Sequence, residues 1–394
     1  MTNCPDVVVA GGGIIGCATA YFLAASDDFD GSVVVIERDP TYQSGAATRS
    51  LGGIRQQFTT PENIRMSMFG AEFARTAART LAVDDVSCDV SFREQGYLLM
   101  ASRADVAQLR QNWEVQRSLG AAVEWLAGGA LTERFPWINW QGVDAAVFGS
   151  ANEGWVDPYT LLMGFRRKAQ SLGTRFLHGE ITRLVREGDR VIGVETDAHG
   201  LIRGGVTVLA AGSRAGALAA SIAVDLPVCP KKRYVYVYDC RDDLQHAPLT
   251  IDPTGVTFRP ESGRYVATVS PARERDPDSD PLDFDMDYRE WEETIWPTLA
   301  ARVPAFEAVK LTGSWAGHYD FNVFDQNAIL GPHPEVQGLL FCNGFSGHGL
   351  QQSPAAGRAV AELIAYGEYR SLDLSRFGFE RIHRDQPIVE ANIW

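Results

Sequence analysis

The chain of 394 residues is short of cysteine pairs, of positive charge and of long apolar runs. Its six cysteines, at positions 4, 17, 88, 229, 240 and 342, form no C-x-x-C pair and no dense cluster. That spacing excludes a disulfide-stapled scaffold, argues against a zinc site and fits a reducing compartment. Lysine and arginine number 36 against 50 aspartate and glutamate, a formal charge of −14. The deficit disfavours nucleic acid or an anionic membrane as partner, because both require a basic footprint. No stretch reaches the roughly 18 apolar residues of a membrane span. The opening "MTNCPDVVVAGGG" has no basic region followed by an apolar one, and no Arg-rich transit segment. A cytoplasmic, soluble protein is expected, with no metal site. Apolar residues make up 45% and charged residues 22%, as in ordinary globular proteins. The length suggests about two to three domains.

What the chain does have is two glycine-rich turns. The first, "VVVAGGGIIGCATAYFL", is a short β-branched run from Asp6 to Ala10, three glycines, then an apolar helix pattern from Ile14 to about Ala25. "SVVVIERD", Ser32 to Asp39, reads as a second buried strand, so strand, turn, helix and strand form a βαβ unit with a parallel sheet. Gly11, Gly13 and Gly16 satisfy G-x-G-x-x-G, and Glu37 stands 21 residues after Gly16, where a carboxylate accepts ribose hydroxyls. The glycines admit a pyrophosphate to the helix N-terminus, whose free N–H groups and dipole favour negative charge. A dinucleotide is the expected ligand. The second turn, "NGFSGHGLQQSPAAGRAVAEL", runs from Asn343 to Leu363 and predicts a helix from about Ser353.

Between the turns, the pattern predicts helices at about Pro61–Leu81, Asp105–Leu119 and Pro158–Leu172, and a strand in "REQGYLLMAS". Residues 181–212 read as hairpins turning at Glu187-Gly188-Asp189 and His199-Gly200. Alternation from Lys231 to Pro271 predicts a mostly antiparallel sheet, and the acidic, Pro-rich stretch 272–287 reads as a solvated loop. Tyr234 and Tyr236 share one strand face, in the core or on a pocket wall. Parallel-sheet pieces thus alternate with antiparallel ones, which predicts two domains that the chain visits more than once.

The N-terminal fingerprint, Glu37, "VLAAG" at 208–212 and "GFSGHG" at 344–349 together resemble the glycine/D-amino-acid oxidase superfamily, which includes the sarcosine and dimethylglycine enzymes. Stretches such as "GGIRQQF", "EGWVDP", "KRYVYV" and "FDQNAILGPHP" carry the resemblance along the chain, closest to a mitochondrial branch associated with respiratory complex I assembly. The resemblance implies an α/β fold: a Rossmann-type FAD-binding domain over 1–90, 150–225 and 320–394, and an interleaved antiparallel-sheet substrate domain over 91–149 and 226–319. It implies FAD as cofactor and oxidation of the C–N bond of a small N-substituted amino acid, by hydride transfer to flavin N5. The imine product then hydrolyses. It leaves open a flavin-bearing assembly protein with little turnover.

By the same resemblance, Arg55 binds the substrate carboxylate, with a guanidinium fork matched to the planar acid. His318, Tyr319 and His348 are the other expected catalytic residues. FAD is expected along Gly11, Gly13, Ile14, Ile15, Gly16, Glu37, Arg38, Ser44, Ala46, Thr48, Arg49, Gly53, Ile181, Ala211, Gly212, Gly344, Gly347, His348, Gly349, Leu350 and Gln351. Arg49 is an alternative holder of flavin or substrate. No cysteine stands near His318 for a covalent link, so FAD is expected to be non-covalent. The oxygen-activating lysine of monomeric sarcosine oxidase has no counterpart in "YVATVS" at 265–270. The acceptor is therefore either O2 or an electron-accepting protein or quinone.

Overall fold

The computed structural model describes residues 4–271 and 276–391. The first βαβ unit forms as its pattern demands. Strands Val7–Ala10 and Val33–Glu37 pair in parallel, with the helix Ile14–Ala24 between them. They sit in a six-stranded sheet, in spatial order Ile329–Pro332, Leu339–Asn343, Val206–Leu209, Val7–Ala10, Val33–Glu37 and Arg175–His178. All its pairings are parallel except the hairpin of the first two. Val7 to Ala10 and Leu339 to Asn343 are buried throughout, because a parallel sheet is covered on both faces.

One face is covered by Ile14–Ala24 crossing the helix Gly349–Tyr366. The crossing is at backbone contact: a Cβ on Gly357 would lie 2.7 Å from the Ala18 carbonyl carbon. The other side carries the antiparallel meander Ile181–Glu187, Arg190–Thr196 and Gly200–Arg203, which turns where the sequence predicts.

The second large sheet has eight strands: Lys310–Asn322, Val228–Asp239, Arg264–Val269, Val256–Glu261, Leu249–Ile251, Tyr97–Ala101, Ala145–Gly149 and Val123–Ala127. Every pairing is antiparallel except Leu249–Ile251 with Tyr97–Ala101. Lys310–Asn322 runs antiparallel to Val228–Asp239 and carries His318 and Tyr319 at its end nearest the first sheet. Tyr236 is fully buried and Tyr234 packs against the same core, so both serve packing.

Two expectations need correction. The helix expected from about Ser353 begins a turn earlier, at Gly349, with Pro354 inside it. Proline frees one carbonyl of the preceding turn, and here the Ser353 hydroxyl donates to the Leu350 carbonyl at 2.9 Å. The stretch 272–287 is not simply a solvated loop; its first four residues lie outside the described ones. From Asp276 onward it is strapped to the strand Val228–Asp239. Lys231 pairs with Asp278 at 2.8 Å, Lys232 with Asp283 at 2.6 Å, and Arg233 with both oxygens of Asp276 at 2.7 and 2.8 Å. Among the described residues, no helix is long and apolar enough to cross a membrane.

Candidate active site

A groove of about 1330 Å³ runs along the edge of the six-stranded sheet, from Glu37 and Arg38 to Gly347 and Tyr319. Its floor is the first glycine loop. A Cβ on Gly11, at φ +108°, would lie 2.4 Å from the Ala210 carbonyl oxygen, so only glycine lets this turn close. Gly13, by contrast, faces open space, and the helix behind it has no side-chain cap. Its first-turn N–H groups are therefore available to an anion. Glu37 accepts from Gly12 N and Asp39 N, both at 2.8 Å, and burial raises its pKa against those two donors. Asp39 closes the next turn by accepting from the backbone N–H and hydroxyl of Thr41 and of Ser44. Burial opposes its charge, but these bonds bring its pKa down to about 2.

The second glycine loop closes the far end. Here a side chain fixes the backbone: Oδ2 of Asp320 accepts from Gly344 N at 2.8 Å and Phe345 N at 3.1 Å. Burial outweighs these bonds and lifts the Asp320 pKa to about 6. Gly347, at φ +98°, passes against Tyr319, where a Cβ would come within 2.5 Å of the ring. The helix that follows also lacks a side-chain cap at its N-terminus.

A second cavity of about 740 Å³ opens beside this loop, and Ser50, Tyr319, Gly347 and Leu350 line both spaces. Its chemistry centres on Arg55, which is 3% exposed. The Arg55 backbone N–H donates to Gln351 Oε1 at 2.8 Å, and its Nη2 donates to His348 Nε2 at 3.1 Å. Phe58 lies under the guanidinium, 4.6 Å from ring centroid to Cζ. Desolvation and then the Arg55 charge push the His348 pKa down to about 3, so the imidazole is neutral and accepts this bond. Tyr97 reaches in where a Cβ on Gly53 would stand 1.9 Å from its hydroxyl. Burial raises the pKa of both Tyr97 and Tyr319, so both phenols stay protonated near neutrality.

His318 belongs to the groove rather than to this chamber. It is 4% exposed, and neither ring nitrogen makes a well-formed hydrogen bond among the described residues, although the Asp280 backbone lies close enough to favour its protonated form. Burial, Lys232 and Arg49 lower its pKa. Phe284 of the strap sits edge-on to its ring at 4.9 Å, and Arg49 stacks on Phe284 at 4.4 Å.

The expected cofactor residues divide accordingly. Gly11, Gly13, Ile14, Ile15, Glu37, Arg38, Ser44, Ala46, Ile181, Ala211, Gly212, Gly347, Gly349 and Leu350 line the groove. Gly53, His348 and Gln351 line the chamber with Arg55 instead. Gly16, Thr48, Arg49 and Gly344 line neither. Thr48 donates to the Tyr42 and Gly45 carbonyls, and Arg49 to those of Gln43 and Ala316, so these two shape the loop. Sequence reasoning missed Asp39, Tyr42, Arg214 and Asp320 in the groove, and Tyr97, Arg233 and Thr257 in the chamber. Asp320 directly follows the two residues singled out beside it. Asp39, Tyr42 and Arg214 likewise lie within a few residues of Glu37, Arg38 and Gly212, whereas Tyr97, Arg233 and Thr257 are brought in by long-range strand pairing and carry no local signal.

The amino-acid sequence matches the family described as FAD dependent oxidoreductase over residues 6–363. FAD-dependent oxidoreductase domain-containing protein 1 of Xenopus laevis is 44% identical, across 98% of this chain and 84% of that protein. Glycine oxidase of Geobacillus kaustophilus is 26% identical, across 97% of this chain and 98% of its own length. Among solved structures, L-proline dehydrogenase from P. horikoshii has a TM-score of 0.85 at 26% identity, covering 98% of this chain and 100% of that one. The crystal structure of glycine oxidase from Geobacillus kaustophilus shares the fold, with a TM-score of 0.80 at 22% identity over 95% of this chain and 98% of that one. A dinucleotide groove at a parallel sheet, together with these matches, leads to one conclusion: the chain belongs to the FAD dependent oxidoreductase family.

Proposed function

We propose that this protein oxidises the C–N bond of a small N-substituted amino acid, with the substrate carboxylate on Arg55. One observation carries the reading. The dinucleotide groove and a chamber built around a buried arginine share a wall at Ser50, Tyr319, Gly347 and Leu350.

The residues present fit FAD. The first loop leaves a cradle at Gly13 and uncapped N–H groups for a pyrophosphate, with Glu37 beside it for ribose hydroxyls. Gly347, Tyr319 and His318 would hold the reactive end. FAD held there supplies a two-electron acceptor for the amine.

The chain's own residues bind and orient. A carboxylate entering the chamber meets the guanidinium in a dry setting, where a charge-assisted pair is stronger than in water. His348 accepts from Arg55 and fixes the plane of its fork. That bond occupies Nε2, and a pKa of about 3 leaves little driving force for proton abstraction, so His348 is a positioning group. No dedicated base is required if the amine binds unprotonated. The six-stranded sheet with its helices would form the cofactor domain, and the eight-stranded sheet the substrate domain.

Anaerobic mixing with sarcosine, dimethylglycine, iminodiacetate, proline and D-amino acids tests the reading. Bleaching of the flavin absorbance by at least one of them is expected. The absence of bleaching by all of them at millimolar concentration would favour the second reading, a flavin-bearing assembly protein. That reading draws on the relatives about 40% identical, whose names give a domain and no reaction.

A further inference from the structure

A buried acid stands behind Arg55 that the proposed reaction does not use. Strand Gly53–Ile54 pairs antiparallel with Gly154–Trp155, Gly53 opposite Trp155 and Ile54 opposite Gly154. Continuing that register by one places Glu153 opposite Arg55. Glu153 is 0% exposed. Its Oε1 accepts from Gln56 N at 2.6 Å and its Oε2 from Gln57 Nε2 at 2.7 Å, so one carboxylate grips the two residues that follow Arg55. Gly149 makes the room: a Cβ there would lie 1.8 Å from Oε2. On its other side, Arg55 is held by Gln351 and His348.

We infer that Glu153 is a positioning residue for the substrate carboxylate: it clamps the turn that carries Arg55 and counters the guanidinium charge until an acid ligand takes that role, when Glu153 takes up a proton. The inference rests on the reading that acids bind at Arg55. Two carboxylates around one guanidinium in a dry site repel each other, and protonating the one that solvent does not reach relieves the repulsion. The charged and titratable groups around the pair are Tyr97, with Arg259 near it, and Tyr319, His348 and Glu390. Of these, Glu390 also favours the Arg55 charge, ahead of Glu153, while accepting from Thr59, Thr60 and Asn63. Burial sets the pKa of Glu153 at about 7, against the pull of its amide donors and Arg55. In the free protein it is therefore ionised above that pH, and there binding must bring in one proton. Affinity for acids falls as pH rises, by up to about tenfold per unit, and is flat below.

The probe is (methylthio)acetate, an acid without an amine, which is not a substrate for C–N oxidation and does not titrate between pH 6 and 9. Its Kd for the FAD-loaded protein is read from the shift in flavin absorbance across that range, and proton uptake from an indicator dye in weak buffer. Weakening above about pH 7 with close to one proton taken up per ligand at pH 8 supports the inference, as does a flat profile in Glu153→Gln. Binding that is independent of pH without proton uptake would overturn it, and so would a Glu153→Gln protein with the unchanged profile. If Glu153→Gln loses flavin, proton uptake by the unaltered protein decides. A pH-independent Kd leaves the amine-oxidation reading intact, whereas pH-linked binding without bleaching by any amine removes that reading and keeps Glu153.

Discussion

Gly11–Gly16 and Gly344–Gly349 each lead a strand of the same sheet into a helix, yet they are held by different forces. The first loop is shaped chiefly by backbone packed on backbone, with one side-chain bond, from Gly12 N to Glu37. A Cβ on Gly16 would lie 1.9 Å from the Gly11 carbonyl oxygen, and one on Gly11 2.4 Å from that of Ala210. The second loop is shaped by side chains from elsewhere: Asp320 on its N–H groups, Tyr319 against Gly347, and Arg55 on His348. A loop set by sterics tolerates almost no change. A loop set by hydrogen bonds and charge responds in degrees, and that is where affinity and pH dependence can be tuned.

Breaking the first loop should have the largest effect. Gly16→Ala forces a methyl group into a carbonyl, and purified protein should carry almost no flavin by its 450 to 280 nm absorbance ratio. In the second region, Arg55→Ala should keep flavin but weaken binding of an acid substrate by about thirtyfold or more, in line with about 2–5 kcal/mol for truncating a buried charged partner. Arg55→Lys should fall between, since it keeps the charge and loses the fork. Steady-state KM and flavin content measured together separate these effects.

Asp320→Asn sharpens the comparison by removing charge while keeping an oxygen for both N–H groups. The folded pKa of Asp320, about 6, lies above the ordinary 3.8. Protonated Asp320 thus favours the fold at low pH, and that contribution is lost as pH rises from about 4 to 6. The Asn protein should therefore gain a few degrees in Tm over the parent at pH 8 and nothing at pH 4. Lys232→Met should matter least, because its partner Asp283 is 41% exposed. Flavin release should speed up by a few-fold at low salt, converging with the parent at high salt.

The same contrast explains what could be read in the sequence. The first loop is a local pattern, so Gly11, Gly13 and Glu37 were legible from spacing alone. Arg55 was legible only through family resemblance, because nothing next to "GGIRQQF" says which chamber it enters. Glu153 and Tyr97 became neighbours of Arg55 through strand pairing, which leaves no signature at one position. The start of the second helix was hidden by Pro354, which usually marks a first turn and here lies inside one. The strap at 276–287 read as solvated because its acids are numerous, although their partners Lys231, Lys232 and Arg233 lie on a strand some 45 residues earlier.

The central claim is that a substrate acid on Arg55 is presented across a shared wall to FAD. The most direct measurement is anaerobic stopped-flow reduction of the flavin by an amine that bleaches it, beside the same amine with its carboxylate converted to a carboxamide. Reduction of the acid at least a hundredfold more efficient than of the amide, with the gap closing in Arg55→Ala, is the predicted result. Equal reduction of acid and amide, or a gap that Arg55→Ala leaves unchanged, would contradict it.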